Sequence, residues 1–193
     1  MSTEPSNAPV SNADLAAQVV SLQAQIDEIK ASSLPEDKLS MVVFSGDLDK
    51  LLASFIIATG AAAMFEEVVM FFTFWATPAL RDPAKGKGSK DFMSRMFGMM
   101  LPKGAGKLKL SQMHMGGMGT NMMRGHMRKK NVMALEQLMK VAAESGVRIY
   151  VCQMSMELMG FSVDELVDYP NLKVAGVAKF LQEAGSSKST LFI

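Results

Sequence analysis

The sequence is poor in the residues that most often perform chemistry. Its 193 positions hold one cysteine, two histidines, one tryptophan and two tyrosines. A single cysteine, Cys152, excludes an intrachain disulfide framework and a metal site made of cysteines alone. It fits a reducing compartment. No Gly-x-Gly-x-x-Gly run occurs, so a dinucleotide site has no direct support. Long apolar runs are missing too. The longest stretch nearly free of charge, residues 51–65, includes Ser54, Thr59 and Gly60 and stops at Glu66 and Glu67. That falls short of the roughly 20 residues a spanning helix needs. The opening Met-Ser-Thr-Glu-Pro has neither the basic nor the apolar region of a secretory leader. These absences predict a soluble, cytoplasmic protein.

Neither sign of charge is in overall excess, with 20 basic and 19 acidic residues. Their distribution is uneven. Residues 81–130 hold 12 basic and 2 acidic side chains, and the remainder holds 8 basic and 17 acidic. A basic segment is set in an acidic body. Methionine is the residue in surplus, at 19.

Residues 1–12, rich in Ser, Asn and Pro, predict a disordered tail. Ser11 with Asp14 makes a helix start. Leu15, Val19, Leu22, Ile26 and Ile29 then repeat at spacings of 4, 3, 4 and 3, an a/d seam. Residues 13–37 therefore read as an amphipathic helix and a linker containing Pro35. The seam pairs either with a second subunit or with its own domain.

From residue 38 the pattern is that of an α/β protein. Residues 39–44 read as a strand, Ser45-Gly46-Asp47 as a turn, and 48–64 as a helix apolar nearly all round and buried between the sheet and a neighbour. Residues 67–75 read as a second buried strand, which completes a βαβ unit. The pattern breaks over 76–130, a long insert punctuated by Gly and Pro, in which 90–101 has the spacing of a short amphipathic helix. A helix over 132–144 follows, with Asn131 as its N-cap. Then come a strand ending at Cys152 and a helix over 153–159 closed by Gly160. A short helix at 163–167 capped by Ser162, a short strand within 169–176, a helix over 177–184 capped by Gly185 and a last strand at 189–193 complete the chain. The expected fold is α/β. One domain spans residues 38–193, with an open, mainly parallel sheet of four or five strands flanked by helices, plus the N-terminal helix and the Met-rich insert.

In such a sheet the site lies off the carboxyl ends of the strands. Three ends meet there: Ser45-Gly46-Asp47, Phe74-Trp75 and Cys152. Gly46 permits a close backbone approach. Ser45 and Asp47 either cap the following helix or hold substrate. Trp75 either walls a pocket or fills the core. Cys152 stands where a strand hands over to a helix, so the N–H groups around Gln153 and Met154 favour its thiolate. From spacing alone two roles stay open for it, a thiol nucleophile or a small buried apolar side chain.

The segments Ser-Gly-Asp-Leu-Asp-Lys (45–50), Ala-Thr-Gly-Ala-Ala-Ala-Met…Met-Phe-Phe-Thr-Phe-Trp (58–75) and Tyr-Val-Cys-Gln-Met-Ser-Met-Glu-Leu-Met-Gly (150–160) together resemble the DsrE/DsrF/DsrH-like family. The branch resembled carries a long insert and is often labelled peroxiredoxin-like or sulfur-reductase-like. The resemblance covers residues 38–193 and leaves out the N-terminal helix. It implies a compact α/β fold, homo- or hetero-oligomers, and a cysteine at the end of the third core strand that carries sulfane sulfur as a persulfide. Cys152 matches that position. On this footing the chain is a sulfur carrier or sulfurtransferase in a sulfur-relay or sulfur-oxidation pathway, working without metal or organic cofactor. The implied partners are a TusA-like carrier, a rhodanese or a heterodisulfide-reductase-like complex, besides further copies of the chain. With no second cysteine, a peroxiredoxin cycle resolved within one chain is disfavoured.

Ten of the 19 methionines lie in the insert. Three readings are open for it. One is a lid with adaptable methionine packing. Another is a docking surface for an acidic partner or an anionic membrane face, which would make the chain a non-catalytic interaction subunit. The third is a Cu(I) site drawn from Met113, His114, Met115 and His126. Nucleic acid is not an expected partner, because few aromatics interleave the basic residues.

Overall fold

The computed structural model describes residues 11–33, 35–85, 96, 98 and 100–193. Most of the expected tail at 1–12 lies outside the described residues, as does most of the expected helix at 90–101. The chain divides into two units between Pro35 and Glu36. In the first, α1 (Asn12–Ser33) begins at Ser11, whose Oγ accepts the Ala13 N–H at 3.1 Å and whose carbonyl accepts the Leu15 N–H at 3.0 Å. The seam residues Leu15, Val19, Leu22, Ile26 and Ile29 are all exposed on it.

The second unit is built on one sheet of five strands: β1 (Glu36–Val43), β2 (Glu67–Phe72), β3 (Arg148–Cys152), β4 (Leu172–Ala175) and β5 (Ser187–Phe192). Their order is β4-β3-β2-β1-β5, and every pairing is parallel. The chain winds outward from β1 to β4, then crosses back to lay β5 on the free side of β1. The helices are α2 (Leu48–Ala61), α3 (Met118–Lys129), α4 (Leu135–Glu144), α5 (Gln153–Met159) and α6 (Val177–Ser186).

Side chains alternate between the two faces of a strand. Met41, Val43, Met70, Phe72, Ile149 and Val151 point into the larger core, shared with Leu51 and Phe55 of α2, Leu138 of α4 and Met156 of α5. Val69, Phe71, Tyr150 and Cys152 point to the other face, where Phe180 of α6 packs. Covering both faces explains why the strands read as near-continuous apolar runs. Each large side chain buried here, such as Phe55 or Phe72, stabilises the fold by about 1.5–3 kcal/mol.

A buried polar cluster holds α6 on the second face. Lys38 of β1 and Glu183 of α6, each 4 % exposed, form an ion pair at 2.7 Å. Lys179 reaches the other Glu183 oxygen at 2.7 Å, and the Ser187 hydroxyl donates to the Glu183 carbonyl at 2.6 Å. Such a pair holds only because each charge is matched.

The structure differs from the sequence expectation at several elements. Helix α2 ends at Ala61 rather than at 64; Leu51, Phe55 and Ala58 pack between the sheet and α4 as expected, while Ile56 and Ile57 face outward. β2 stops at Phe72 rather than at 75, because Phe74 takes a left-handed φ of 44° and opens a 3-10 turn over Phe74–Leu80. Helix α4 starts at Leu135. Asn131 is left-handed (φ 55°) and does not cap it, and Gln137 Oε1 instead accepts the Ala134 N–H at 2.9 Å. Gly185 lies inside α6 rather than capping it.

The described part of the insert is packed against the domain. Leu108 and Leu110 are buried in the core cluster. The Leu48 N–H donates to the Lys109 carbonyl at 2.7 Å, and Asp49 accepts the Ser111 N–H at 2.8 Å and the Ser111 hydroxyl at 2.5 Å. The guanidinium of Arg124 on α3 spans the Ala105 and Gly106 carbonyls. Asp49 thus ties the start of α2 to the insert across 62 positions of sequence.

Candidate functional site

Parallel registry brings the strand ends to one edge. Val43 pairs with Phe72, Phe72 with Val151, and Cys152 with Ala175. The Thr73 N–H extends β2 by one more bond, to the Val43 carbonyl at 3.0 Å. Cys152 ends β3 and is the N-cap residue of α5. The chain turns from strand to helix there with extended φ/ψ at Cys152 (−64°, 115°), and Gly160, left-handed at φ 67°, closes the helix one residue after Met159.

Cys152 is 4 % exposed. Burial pushes its thiol upward. The hydroxyl and N–H of Ser155, the hydroxyl of Thr73 and the N–H of Met154 outweigh that effect and hold the thiol below its ordinary value. The sulfur closes no side-chain cap bond on α5. Its polar neighbours therefore act as donors poised for the anion. Ser155 is itself fixed, for its Oγ accepts the Phe74 N–H at 3.0 Å and lies 3.0 Å from the Thr73 hydroxyl. With the Phe74 N–H filling one lone pair, the Ser155 proton is available to a neighbouring acceptor.

The other residues singled out in the sequence gather around this edge with different environments. The Gly46 backbone meets the Trp75 carbonyl so closely that a Cβ on Gly46 would lie 2.2 Å from that oxygen. Ser45 donates to Asp47 at 3.0 Å, and Asp47 pairs with Lys50 at 3.2 Å. Asp47 occupies the N-cap position of α2 without a side-chain cap bond. Trp75 is 53 % exposed and stands outside the core. Phe74 packs on Phe44 (centroids 5.6 Å apart), and Phe44 stacks on Phe192 (6.0 Å), which forms an aromatic rim. The Gln153 side chain is exposed and donates to Glu157 at 2.8 Å, away from the sulfur. Of the two N–H groups expected to face Cys152, that of Met154 does so, joined by that of Ser155.

In the insert, Met113 and His126 line one cavity of about 260 Å³ together with Met122 and Met123. His114 and Met115 are not in its lining. His114 Nδ1 instead meets the Thr120 hydroxyl at 3.1 Å. No helix among the described residues is long and apolar enough to cross a membrane.

A family model described as the DsrE/DsrF/DrsH-like family matches residues 35–192. The chain belongs to that family. Among curated proteins it is 44 % identical over 156 residues to YrkE of Bacillus subtilis strain 168, described as uncharacterized, covering 81 % of this chain and 96 % of that one. It is 33 % identical over 164 residues to the sulfur carrier protein DsrE2 of Allochromatium vinosum, covering 83 % of this chain and all of that one. Among solved structures, the YchN protein of E. coli aligns over 81 % of this chain and 98 % of its own, with a TM-score of 0.46 and 12 % identity. In this DsrE-like chain two residues beside the cysteine, Thr73 and Ser155, were not singled out by sequence reasoning. Ser155 carried a signal in its position, three residues past an N-cap, where a helix N–H faces the capping side chain. Thr73 carried none, being 82 positions from Ser155.

Proposed function

We propose that this chain is a sulfur carrier of the DsrE-like kind, taking up and passing on sulfane sulfur as a persulfide on Cys152. The observation that carries the reading is the position of the only thiol, at the carboxyl edge of a parallel sheet and the start of α5 beside the paired Ser155 and Thr73 hydroxyls, which favours its thiolate. Family membership and the relative described as a sulfur carrier support it.

The thiolate attacks the outer sulfur of a donor persulfide, R–S–SH. A bond forms between Cys152 Sγ and that sulfur, the donor S–S bond breaks, and the donor leaves as R–S⁻. Cys152–S–SH is then attacked at its outer sulfur by an acceptor thiolate, which returns Cys152 to the thiolate. No net oxidation occurs in either step. Ser155, Thr73 and the Met154 N–H stabilise the thiolate that exists before loading and after delivery. Because the sulfur is buried, loading requires the Phe74–Trp75 turn or the first turn of α5 to move aside. The aromatic rim and Trp75 are the surface a partner meets there. Suitable partners are thiol proteins of a relay in a reducing cytoplasm: a TusA-like carrier, a rhodanese or a heterodisulfide-reductase-like complex. Further copies of the chain pair through the α1 seam.

A second reading is a non-catalytic subunit in which Cys152 only fills space. The 4 % exposure of Cys152 and the exposed methionines of α3 favour it. Intact mass after incubation with polysulfide separates the two. Wild type is expected to gain one sulfur atom, removed by reductant, and Cys152→Ser none. A folded wild-type chain that gains no sulfur sinks the carrier reading.

A further inference from the structure

The insert forms a cavity apart from the surroundings of the thiol. Met122 and His126 are four residues apart on α3 and share a face, with Met123 beside them. The chain before α3 is bent back over that face. Met113 takes a left-handed φ of 56°, and Gly119 lies under its carbonyl, where a Cβ would come within 1.8 Å of the oxygen. Only glycine fits that contact. The Thr120 hydroxyl holds the same bend from both sides, meeting His114 Nδ1 at 3.1 Å and the Leu110 N–H at 3.4 Å. The result is the cavity of about 260 Å³ lined by Leu110, Met113, Gly119, Met122, Met123 and His126.

We propose that this cavity is a Cu(I) site, with Met113, Met122, Met123 and His126 as its ligands. The lining residues include three methionines and one histidine, and no Asp, Glu or Cys. Such neutral, soft donors suit Cu(I) and do not suit Mg²⁺, Ca²⁺ or Mn²⁺, which take oxygen. Thioethers are normally spent on packing. Here Met113 and Met122 are 68 % and 65 % exposed, so the core does not claim them and an ion can reach them. Arg124, Arg128 and Lys129 lie on α3 itself, and a single positive charge is the metal charge they oppose least. Arg124, the nearest of them in sequence, is turned to the Ala105 and Gly106 carbonyls. Binding exchanges chelator ligands for protein ligands on Cu(I), with no change of oxidation state.

The test is a competition titration under anaerobic conditions, with Cu(I) supplied as its bicinchoninate complex. The full chain carries Cys152→Ser so that the thiol does not contribute. This protein is expected to withdraw one equivalent of Cu(I). Met122→Leu and His126→Gln are each expected to weaken uptake by at least about tenfold, since losing a ligand costs no less than losing its outer-shell support. Met115→Leu and Met118→Leu, outside the lining, are expected to retain it. Far-ultraviolet circular dichroism checks that each variant folds, and the Met→Leu changes at exposed positions are chosen because they conserve volume. Absorption at the copper edge is expected to show thioether sulfur in the Cys152→Ser protein. The proposal is overturned if Cys152→Ser takes up no Cu(I), if Met122→Leu and His126→Gln bind as the parent does, or if all methionine variants lose binding equally.

Discussion

The Ser155 hydroxyl lies 3.0 Å from that of Thr73 and ties the first turn of α5 to the residue that ends β2. The pair flanks the Cys152 sulfur and helps hold its thiol below the ordinary value against the upward push of burial. Ser155→Ala is therefore expected to raise the thiol back toward its ordinary value. Thr73→Val, which keeps the shape, is expected to raise it less. Thiolate ultraviolet absorbance, read against Cys152→Ser, follows this without requiring a reagent to reach the buried sulfur. Ser155→Ala also orphans the Phe74 N–H, at roughly 1–3 kcal/mol. An unchanged titration in Ser155→Ala would show that its hydroxyl does not act on the sulfur.

The same shift links stability to pH. An acid whose pKa is lower folded than unfolded adds stability once the pH exceeds the unfolded value, and that stability is lost as pH falls through the folded value. Cys152 is such a group, so wild type is expected to gain stability relative to Cys152→Ala as pH rises through the thiol range. Urea denaturation at two pH values, one below and one above that range, measures it. A difference of the opposite sign refutes the donor arrangement.

The sheet was legible because parallel strands covered on both faces are written as apolar runs, and the strand ending at Cys152 is one of them. The order of those runs with their intervening helices also announced the parallel connections. What could not be read was contact between distant positions. Thr73 and Ser155, or Asp49 and Ser111, meet through tertiary structure and leave no local pattern. Helix α3 was missed for a different reason. Gly119 and Gly125 sit inside it, and glycine disfavours a helix interior. Gly119 is retained because the Met113 carbonyl occupies the space of a side chain. Trp75 reads as strand in the sequence because aromatics favour strands, whereas the left-handed Phe74 ends β2 first.

Gly46→Ala is expected to be strongly destabilising. The new Cβ would meet the Trp75 carbonyl oxygen at 2.2 Å and its carbon at 3.0 Å, both backbone atoms that cannot swing aside. Overpacking of this kind costs about 1–3 kcal/mol or more. The strain falls on the turn that carries Phe74 and Trp75, so fluorescence of the sole tryptophan is expected to shift along with a lower Tm. A variant with wild-type Tm and emission contradicts the close approach.

The α1 seam is expected to pair copies of the chain. Val19 and Ile26 fall at a positions with Leu15, Leu22 and Ile29 at d, the arrangement that favours two parallel strands. All five are exposed on α1. Leu22→Asp with Ile26→Asp is expected to convert dimer to monomer in sedimentation equilibrium. It should also reduce helical signal, since most helical stability in proteins comes from packing of an apolar face. A wild-type monomer at high concentration rules out pairing through α1.

Glu183 is expected to contribute to the acid limit of the fold. Burial pushes its carboxyl upward, but Lys179 and Lys38 beside it hold it down to about 2. The unfolded chain titrates near about 4.3. With the folded value below the unfolded one, this carboxylate contributes its full stability above the unfolded value, and the contribution is lost as pH falls from there toward 2. Glu183→Gln is expected to flatten the acid limb of the stability curve and to lower stability at neutral pH. It leaves the Lys38 ammonium buried with the outer carboxylates Glu36 and Glu67, and breaking a buried pair costs about 3–5 kcal/mol where nothing else compensates. Replacing both partners, as Lys38→Met with Glu183→Leu, is expected to recover much of that loss, because no charge is then left in the interior. Urea midpoints measured between pH 3 and pH 7 (the range that brackets about 4.3) decide it. If the double variant is no more stable than Glu183→Gln, the cost lies in lost packing of α6 rather than in an unpaired charge.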